Sequence, residues 1–144
     1  MDSDVIDRVL RKNCTIYRGV FACDELPDVD ARPSAIVVNT DPARRPGRHW
    51  ICIYFDGDGH GEYFDSFGEG PKREFERYMD KNCIAWTINK KRMQSIVSRF
   101  CGHYCIWYCV MKSRNVSLNE LSNSMSDDTG LNDFLVHRFA CKLL

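Results

Sequence analysis

Apolar residues recur at helical spacing near the start of the chain and as a continuous run further on. Residues 5–10 place apolar side chains on one face behind Ser3 or Asp4 as the N-cap, which predicts a short amphipathic helix. The next segment is predicted to be a loop because it contains three residues that interrupt regular structure: Gly19, Pro27 and Pro33. The apolar run over residues 35–39 then predicts a short buried strand.

Two further segments with strand character flank a glycine-rich turn and predict a hairpin. Residues 49–55 and 61–67 lie on either side of this turn, whose Asp-Gly pairs supply the positive φ angles that hairpin turns require. Pro71 suits the first position of a helix, and residues 83–88 are predicted to form another strand.

The segment that begins at Cys101 is apolar on nearly all sides, which predicts a helix buried in the middle of the protein. A last amphipathic helix is predicted from four apolar residues: Leu131, Phe134, Leu135 and Phe139. Together the elements predict a single α+β domain over residues 1–144. It would have a small mixed or antiparallel central sheet, helices around it, and Cys101 at the N-terminus of the buried central helix.

Composition and charge narrow the class of protein. The 144 residues are 44% hydrophobic, enough for one compact domain, and 20 basic residues balance 20 acidic ones, so no polyanionic partner is indicated. Most of the eight cysteines are predicted to be reduced, because the chain opens without the basic and apolar segments of a signal peptide. No apolar stretch approaches the roughly 20 residues that cross a bilayer, which predicts a soluble intracellular protein without a membrane partner.

A cysteine at the start of a buried helix is a candidate nucleophile. Free N–H groups and the positive end of the helix dipole stabilise a thiolate there, and Gly102 would let a substrate carbonyl approach the backbone. His49 opens one predicted hairpin strand and Asp65 closes the next, so both lie at the same end of the sheet. Gln94, seven residues before Cys101, offers a side-chain N–H. The set predicts a cysteine protease with Cys101 as the nucleophile, His49 as the general base, Asp65 as the residue that orients the imidazole, and Gln94 as an oxyanion-hole donor.

Two features of this hypothesis depend on geometry that the sequence leaves open. A symmetric hairpin register brings Asp65 nearer to Cys52 than to His49, so their contact requires a bulge or a register shift. Trp50 either lines the substrate cleft or packs in the core, and substrate lining is the role assigned to it here.

No metal site is predicted. Cys101, Cys105 and Cys109 lie along one helical stripe, but the sequence pattern offers no second, distant pair of ligands of the kind zinc sites use. Residues 56–59 begin like a calcium-binding loop, yet Phe67 occupies the position that needs a bidentate Glu. The chemistry is therefore expected to require no cofactor.

The order and spacing of these residues resemble the adenain family, the adenovirus-type cysteine endopeptidases, and more distantly the proteases of ubiquitin-like proteins such as SUMO. The segments that carry the resemblance are residues 38–40 leading to His49 and Trp50, residues 64–68, and Gln94 followed by residues 101–105. The resemblance implies an α+β fold with the nucleophile on a central helix, and limited proteolysis of precursor proteins, often after glycine-containing sites. Adenovirus enzymes usually carry Glu where this chain has Asp65, whereas Asp is common among the ubiquitin-like-protein proteases.

The resemblance also implies a virus or virus-like element as the source, and two accessory factors. Cys83 falls where adenovirus enzymes bind an activating peptide through a disulfide; a half-buried cysteine that starts a strand is the alternative interpretation. Adenovirus enzymes also use DNA as a cofactor. The basic residues here give that implication little support, since they form only two modest clusters, Arg44, Arg45 and Arg48 and then Lys90, Lys91 and Arg92. A viral enzyme of this type would act in the host nucleus or in the virion.

Three functions are open on sequence grounds. The first is an endopeptidase that matures capsid or core precursor proteins. The second is an isopeptidase that removes ubiquitin-like modifiers with the same four residues, and the third is a catalytically silent virion or binding domain that keeps the fold. The complete set of candidate residues argues against the silent domain, because a protein without catalysis has no physical need for all four.

Overall fold

The computed structural model describes residues 1–43 and 49–144, which form five helices and five strands. The helices are α1 (Ser3–Asn13), α2 (Arg73–Asn82), α3 (Cys101–Ser113), α4 (Leu118–Ser124) and α5 (Thr129–Cys141). The strands are β1 (Tyr17–Ala22), β2 (Ser34–Asn39), β3 (Trp50–Phe55), β4 (His60–Phe64) and β5 (Ala85–Ile88). Within the described residues, every helix falls short of the combined length and apolar character that a bilayer-spanning helix needs.

All five strands belong to one mixed sheet in the order β1-β2-β3-β4-β5. The outer pairs, β1 with β2 and β4 with β5, are parallel, whereas β3 is antiparallel to both of its neighbours. The register pairs Ala22 with Asn39 and Asn39 with Trp50, so these three residues form one row across the sheet. The predicted α+β class, the hairpin and the buried helix that begins at Cys101 are confirmed.

The sheet separates two hydrophobic cores because alternate residues of its central strands point to opposite faces. Val37 and Cys52 face a core that contains α1, α3 and α5. Ile36 and Ile53 face a second core, which α2 covers with Phe75. Since α3 lies between the sheet and the other helices of its face, nearly all of its residues are buried, in agreement with its uniformly apolar sequence.

The first helix forms as predicted, but its cap differs from the prediction. Asp2, rather than Ser3 or Asp4, is the N-cap of α1, and its Oδ1 accepts a hydrogen bond from the Val5 N–H at 3.0 Å. This bond satisfies one of the backbone donors that the first turn of a helix leaves free.

The predicted loop after α1 is wrong over residues 17–22, because β1 forms there. Gly19 has a φ of 142°, and the pairing between β1 and β2 shifts register between Tyr17 and Gly19. A residue with this φ is almost always glycine, and the shift is typical of a β-bulge. The glycine that the sequence pattern indicates as an interruption is therefore a bulge within an edge strand.

Helix α5 forms where predicted, but three of the four apolar residues from which it was predicted lie outside its buried face. Leu131, Phe134 and Leu135 are 46%, 54% and 51% exposed, whereas Asn132 and Asp133 are buried. These two polar side chains can be buried because both make hydrogen bonds to residues outside their own helix. The apolar pattern alone does not reveal where such partners lie.

Candidate active site

Cys101 is the first residue of α3, and its side chain is buried at the end of the central helix. Burial raises the pKa of this thiol. Opposing it are a hydrogen bond with the His49 ring, hydrogen bonds from the backbone N–H groups of Trp50 and Gly102, and the charge of His49, which together hold the pKa below the usual thiol value. The surroundings therefore favour the thiolate, which is the nucleophilic form of cysteine.

His49 and Asp65 are in contact at the open end of the hairpin, where His49 Nε2 lies 2.8 Å from Asp65 Oδ1. The ladder between the two strands is regular and pairs Cys52 with Phe64. His49 precedes the first residue of β3 and Asp65 follows the last residue of β4, so their side chains meet beyond the paired residues. The predicted need for a bulge or a register shift is therefore wrong.

The His49 ring is held from several sides. Burial lowers its pKa, but the hydrogen bonds with Asp65 and Cys101, together with their charges, raise the pKa of His49 to about 9. Because Asp65 occupies Nε2, Nδ1 is the ring nitrogen that remains for the thiol. Phe67 packs against the ring at a centroid distance of 5.0 Å, and its backbone N–H donates to Asp65 Oδ1 at 2.9 Å.

Gln94 lies in the wall of the cleft that contains the candidate nucleophile. This cleft has a volume of about 380 Å³, and its walls include Cys101, His49, Trp50 and Gln94. The Ser66 hydroxyl donates to Gln94 Oε1 at 2.6 Å, while Gln94 Nε2 donates to the Ser98 carbonyl at 3.1 Å and to Ser98 Oγ at 3.0 Å. The predicted oxyanion-hole residue is thus beside Cys101, and its amide N–H groups are engaged by Ser98.

The segment that carries this glutamine is anchored by two helices and by the residue that follows Asp65. The Met93 carbonyl accepts from the Tyr104 hydroxyl and from Asn132 Nδ2, both at 3.1 Å. The Tyr104 hydroxyl also lies 2.8 Å from Asp133 Oδ1. On the other side, the Ser66 carbonyl accepts from the N–H of Met93 at 2.9 Å and from the following N–H at 3.0 Å. Helices α3 and α5 therefore position the segment together with the residue that follows the acid.

Sequence reasoning missed Ser66, Phe67 and Ser98 as members of the site. Ser66 and Phe67 directly follow Asp65, so their place beside a candidate catalytic acid is a signal that could have found them. Ser98 lies between Gln94 and the nucleophile, but only the folded loop shows that it contacts the glutamine amide.

Three predicted residues remain: Trp50 and Gly102 lie next to catalytic candidates, whereas Cys83 lies away from the cleft. Trp50 lines the cleft, and its indole N–H donates to the Met1 carbonyl at 3.3 Å. A Cβ added at Gly102 would lie 3.2 Å from Ile6 Cδ1, so close packing against α1 favours a residue without a side chain there. Cys83 is half-buried at the end of α2 and packs on the opposite face of the sheet from α3, so the structure does not bring it to the cleft.

Of the two basic clusters, only the second lies within the described residues. Arg44, Arg45 and Arg48 lie outside the described residues. In the second cluster Lys91 Nζ donates to the Met125 carbonyl at 2.6 Å, so this ammonium group is engaged within the protein. Across residues 1–43 and 49–144, no three His, Cys, Asp or Glu side chains are arranged as a metal site.

The fold is shared with solved structures of proteases. The crystal structure of an African swine fever virus protease matches with a TM-score of 0.67 and 23% identity, over 94% of this chain and 66% of the other. This is the fold of the adenain-like and SUMO-protease clan. The SUMO protease Ulp1 also has it, with a TM-score of 0.50 and 13% identity over 99% of this chain and 78% of the other.

Curated sequences lead to the same clan, although no protein-family model matches the chain. A cysteine protease of African swine fever virus is 29% identical over 119 residues, which cover 72% of this chain and 42% of that protein. A candidate thiol protease of Acanthamoeba polyphaga mimivirus is 31% identical over 125 residues, which cover 78% of this chain and 40% of that protein. The chain thus spans about two fifths of the length of these curated relatives. The predicted resemblance to this protease clan is confirmed, and the names of the relatives support the predicted enzyme class.

Proposed function

We propose that the chain is a cysteine endopeptidase domain that cleaves precursor proteins, such as capsid or core precursors, of a virus or virus-like element. The observation that carries the proposal is the line of contacts from Cys101 through His49 to Asp65, in which the pKa of the thiol falls and that of the imidazole rises. The likeness to viral proteases supports it.

In the proposed reaction the Cys101 thiolate attacks the carbonyl carbon of the scissile peptide bond. Protonated His49 then donates its proton to the leaving amine as the C–N bond breaks and a thioester forms. Water, deprotonated by His49, hydrolyses the thioester and regenerates the thiol. Asp65 orients the imidazole and stabilises its protonated form. The Cys101 backbone N–H and the Gln94 side-chain N–H bind the oxyanion, which requires Gln94 to exchange its bonds with Ser98 for bonds to the substrate.

The ion pair that starts this reaction exists only between two pKa values. Below the lowered pKa of Cys101 the thiol keeps its proton, and above about 9 His49 loses its proton. The value of kcat/KM is therefore expected to rise with pH through the first pKa and to fall through the second.

The test of the nucleophile is the pH dependence of alkylation by iodoacetamide, read for each cysteine by mass spectrometry. Cys101 is expected to react selectively well below the free-thiol pKa of about 8.5 and to lose this reactivity in the His49→Ala variant. Cys14 and Cys105 are internal controls, because burial raises the pKa of both thiols to about 11. If Cys101 has the same alkylation profile in the parent and in the variant, the proposed nucleophile is wrong.

A deconjugating isopeptidase is the second candidate, favoured by the name SUMO-1 cysteine protease that the protein of a second African swine fever virus isolate carries. A SUMO vinyl sulfone would label an isopeptidase at Cys101 and leave an endopeptidase largely unmodified. Internally quenched peptides with a central Gly-Gly sequence would be cleaved by an endopeptidase and left largely intact by an isopeptidase. A catalytically silent domain would show neither reaction.

The proposal keeps two further expectations. Action in the host nucleus or in the virion follows if the source is viral. The proposal also includes an activating peptide bound through a disulfide at Cys83. It does not include DNA as a cofactor. Burial raises the pKa of the Cys83 thiol. We therefore expect this disulfide to form only with a peptide already bound nearby, where its effective concentration is high. The proposed reaction uses no metal or organic cofactor.

A further inference from the structure

A larger groove adjoins the cleft of Cys101. It has a volume of about 1140 Å³ and lies between the start of α1, the edge strand β1 and the end of β2; we call it the α1 groove. The lining residues that matter here are Asp2, Asp4, residues 18–22, Glu25, Asn39 and Asp41. Trp50 and Met1 line both the α1 groove and the cleft, so the groove adjoins the cleft of the candidate nucleophile at these two residues.

A buried amide in the α1 groove lacks a partner. Asn39 is only 5% exposed, and its Nδ2 makes no hydrogen bond within residues 1–43 and 49–144. The orientation of the amide is settled, because Oδ1 accepts from the Asp41 N–H at 2.8 Å and a flipped amide would place two donors against each other. Buried donors without partners are uncommon because they are costly, so this one indicates a missing acceptor.

The position of Asn39 relates this donor to the site. Asn39 is the middle member of the row Ala22, Asn39 and Trp50, and the Trp50 backbone N–H contacts the Cys101 thiol. In the described part of the chain β1 pairs on one side only, with β2. Residues 18–22 thus bring the backbone groups of an edge strand to the groove, where an extended chain can pair with them. A polypeptide carbonyl is the acceptor that fits these surroundings.

Among the described lining residues acidic side chains outnumber basic ones, which favours a cationic occupant in that part of the groove. Asp7 and Arg11, which also line the groove, neutralise each other through a 2.8 Å salt bridge. The other lining acids are Asp2, Asp4, Glu25 and Asp41, none of which is in a salt bridge with a described residue, while Arg18 is the other described basic residue of the lining. Opposite charge across such a surface selects partners and speeds their association.

We propose that the α1 groove binds an extended, lysine- or arginine-bearing segment of the polypeptide substrate, and that Asn39 Nδ2 donates to a backbone carbonyl of that segment. The proposal rests on the proposed protease function, since it makes the groove a part of the substrate site outside the catalytic residues. It assigns two separable tasks. Asn39 recognises the main chain of any sequence, and the acidic walls choose between sequences.

The experiment measures binding of two fluorescein-labelled ten-residue peptides to the Cys101→Ala variant by fluorescence anisotropy. Both peptides contain a central Gly-Gly, flanked on both sides by Lys in one and by Glu in the other. In the Cys101→Ala protein the Lys peptide is expected to bind at least about tenfold more tightly at low salt, and the difference should shrink as salt screens the charges. Adding Asp4→Lys and Glu25→Lys is expected to abolish or invert the preference.

The matched control carries Glu76→Lys and Glu120→Lys, which change the net charge equally but lie at exposed positions outside the groove lining. It is expected to keep the preference for Lys. Asn39→Ala is expected to weaken the binding of both peptides by a similar factor of roughly 5–10, because a hydrogen bond to the main chain does not depend on the peptide's side chains. If Asn39→Ala fails to fold, the charge variants still decide, since Asp4 and Glu25 are exposed.

Equal binding of the two peptides, or the same loss of preference in the control pair, would overturn the inference. If the parent protein cleaves Gly-Gly peptides while the groove variants bind and cleave as the parent does, the groove assignment alone is wrong. If the parent cleaves nothing but the binding pattern appears as expected, the groove binds basic polypeptide and the protease proposal is wrong.

Discussion

At the scale of single residues, the expected chemistry depends on which way each polar group faces. Gln94 has an amide whose oxygen and nitrogen could exchange places, and the Ser98 carbonyl, which can only accept, selects the arrangement that puts Nε2 beside it at 3.1 Å. In that arrangement the Ser66 hydroxyl donates to Oε1 at 2.6 Å. Since Oε1 is held by Ser66, Nε2 is the atom that can serve an oxyanion. Ser66 is therefore a positioning residue that acts through Gln94.

Replacing Ser66 with Ala should lower kcat by roughly tenfold with little change in KM, less than the 10²–10³ commonly lost with an oxyanion-hole donor itself. The measurement is kcat and KM on an internally quenched Gly-Gly peptide. A double-mutant cycle with Gln94→Ala is the control, because Ser66→Ala should have no further effect once the glutamine is gone. Additive losses would show that Ser66 does not act through Gln94.

At the scale of elements, α5 stabilises the site with its polar residues rather than its apolar ones. Asn132 and Asp133 are buried against the loop before α3, and Tyr104, one turn into α3, reaches the same loop. The loop that carries Gln94 has no regular structure of its own over residues 89–100. Its conformation therefore depends on the hydrogen bonds from these two helices and on those to the Ser66 carbonyl.

Tyr104→Phe removes a hydroxyl that bonds the Met93 carbonyl and the Asp133 carboxylate, so it should reduce the free energy of unfolding by about 1–3 kcal/mol. It should also lower kcat, because the loop loses an anchor. Tyr108→Phe is the matched control: Tyr108 lies one turn further along α3, and its hydroxyl donates to Glu62 Oε1 at 2.6 Å, away from the loop. Denaturant unfolding should show a loss of stability in both variants. A similar loss of kcat in both variants would contradict the anchoring role.

At the scale of the whole molecule, the packing of α3 against α5 makes stability depend on pH. The rings of His103 and His137, one from each helix, have centroids 5.1 Å apart. Burial lowers the pKa of His103, and the charge of His137 lowers it further, to about 4. Protonation of His103 is thus disfavoured in the folded protein.

The folded pKa of His103, about 4, lies below the unfolded value of about 6.5, so the unfolded chain binds the proton first as pH falls. The free energy of unfolding should therefore be at its full value above pH ~6.5 and decrease between pH ~6.5 and ~4, by on the order of 1–3 kcal/mol from this residue. Urea unfolding of the parent and of His103→Gln at about pH 7 and about pH 4.5 measures it. The variant should lose less stability than the parent, and equal losses would rule out His103 as the source.

The amino-acid sequence alone was sufficient for the element types around the site and for its candidate residues. A uniformly apolar helix that starts at Cys101, and a hairpin whose ends carry His49 and Asp65, are local patterns, so neighbouring residues reveal them. The edge strand β1 was missed because no local pattern indicates it. Gly19 interrupts the local pattern, and only pairing with β2 makes the segment a strand.

Tertiary structure was needed wherever the deciding partner lies far along the chain. His49 meets Asp65 beyond a regular ladder, Ser66 holds Gln94, and α5 buries Asn132 and Asp133 beside Val136 and Ala140 because Met93 and Tyr104 accept or donate hydrogen bonds there. The α1 groove likewise combines α1, β1 and the end of β2, with the unpartnered amide of Asn39 in its wall. Each of these contacts joins residues that no local pattern relates, because their separation is set by how the helices and the sheet pack.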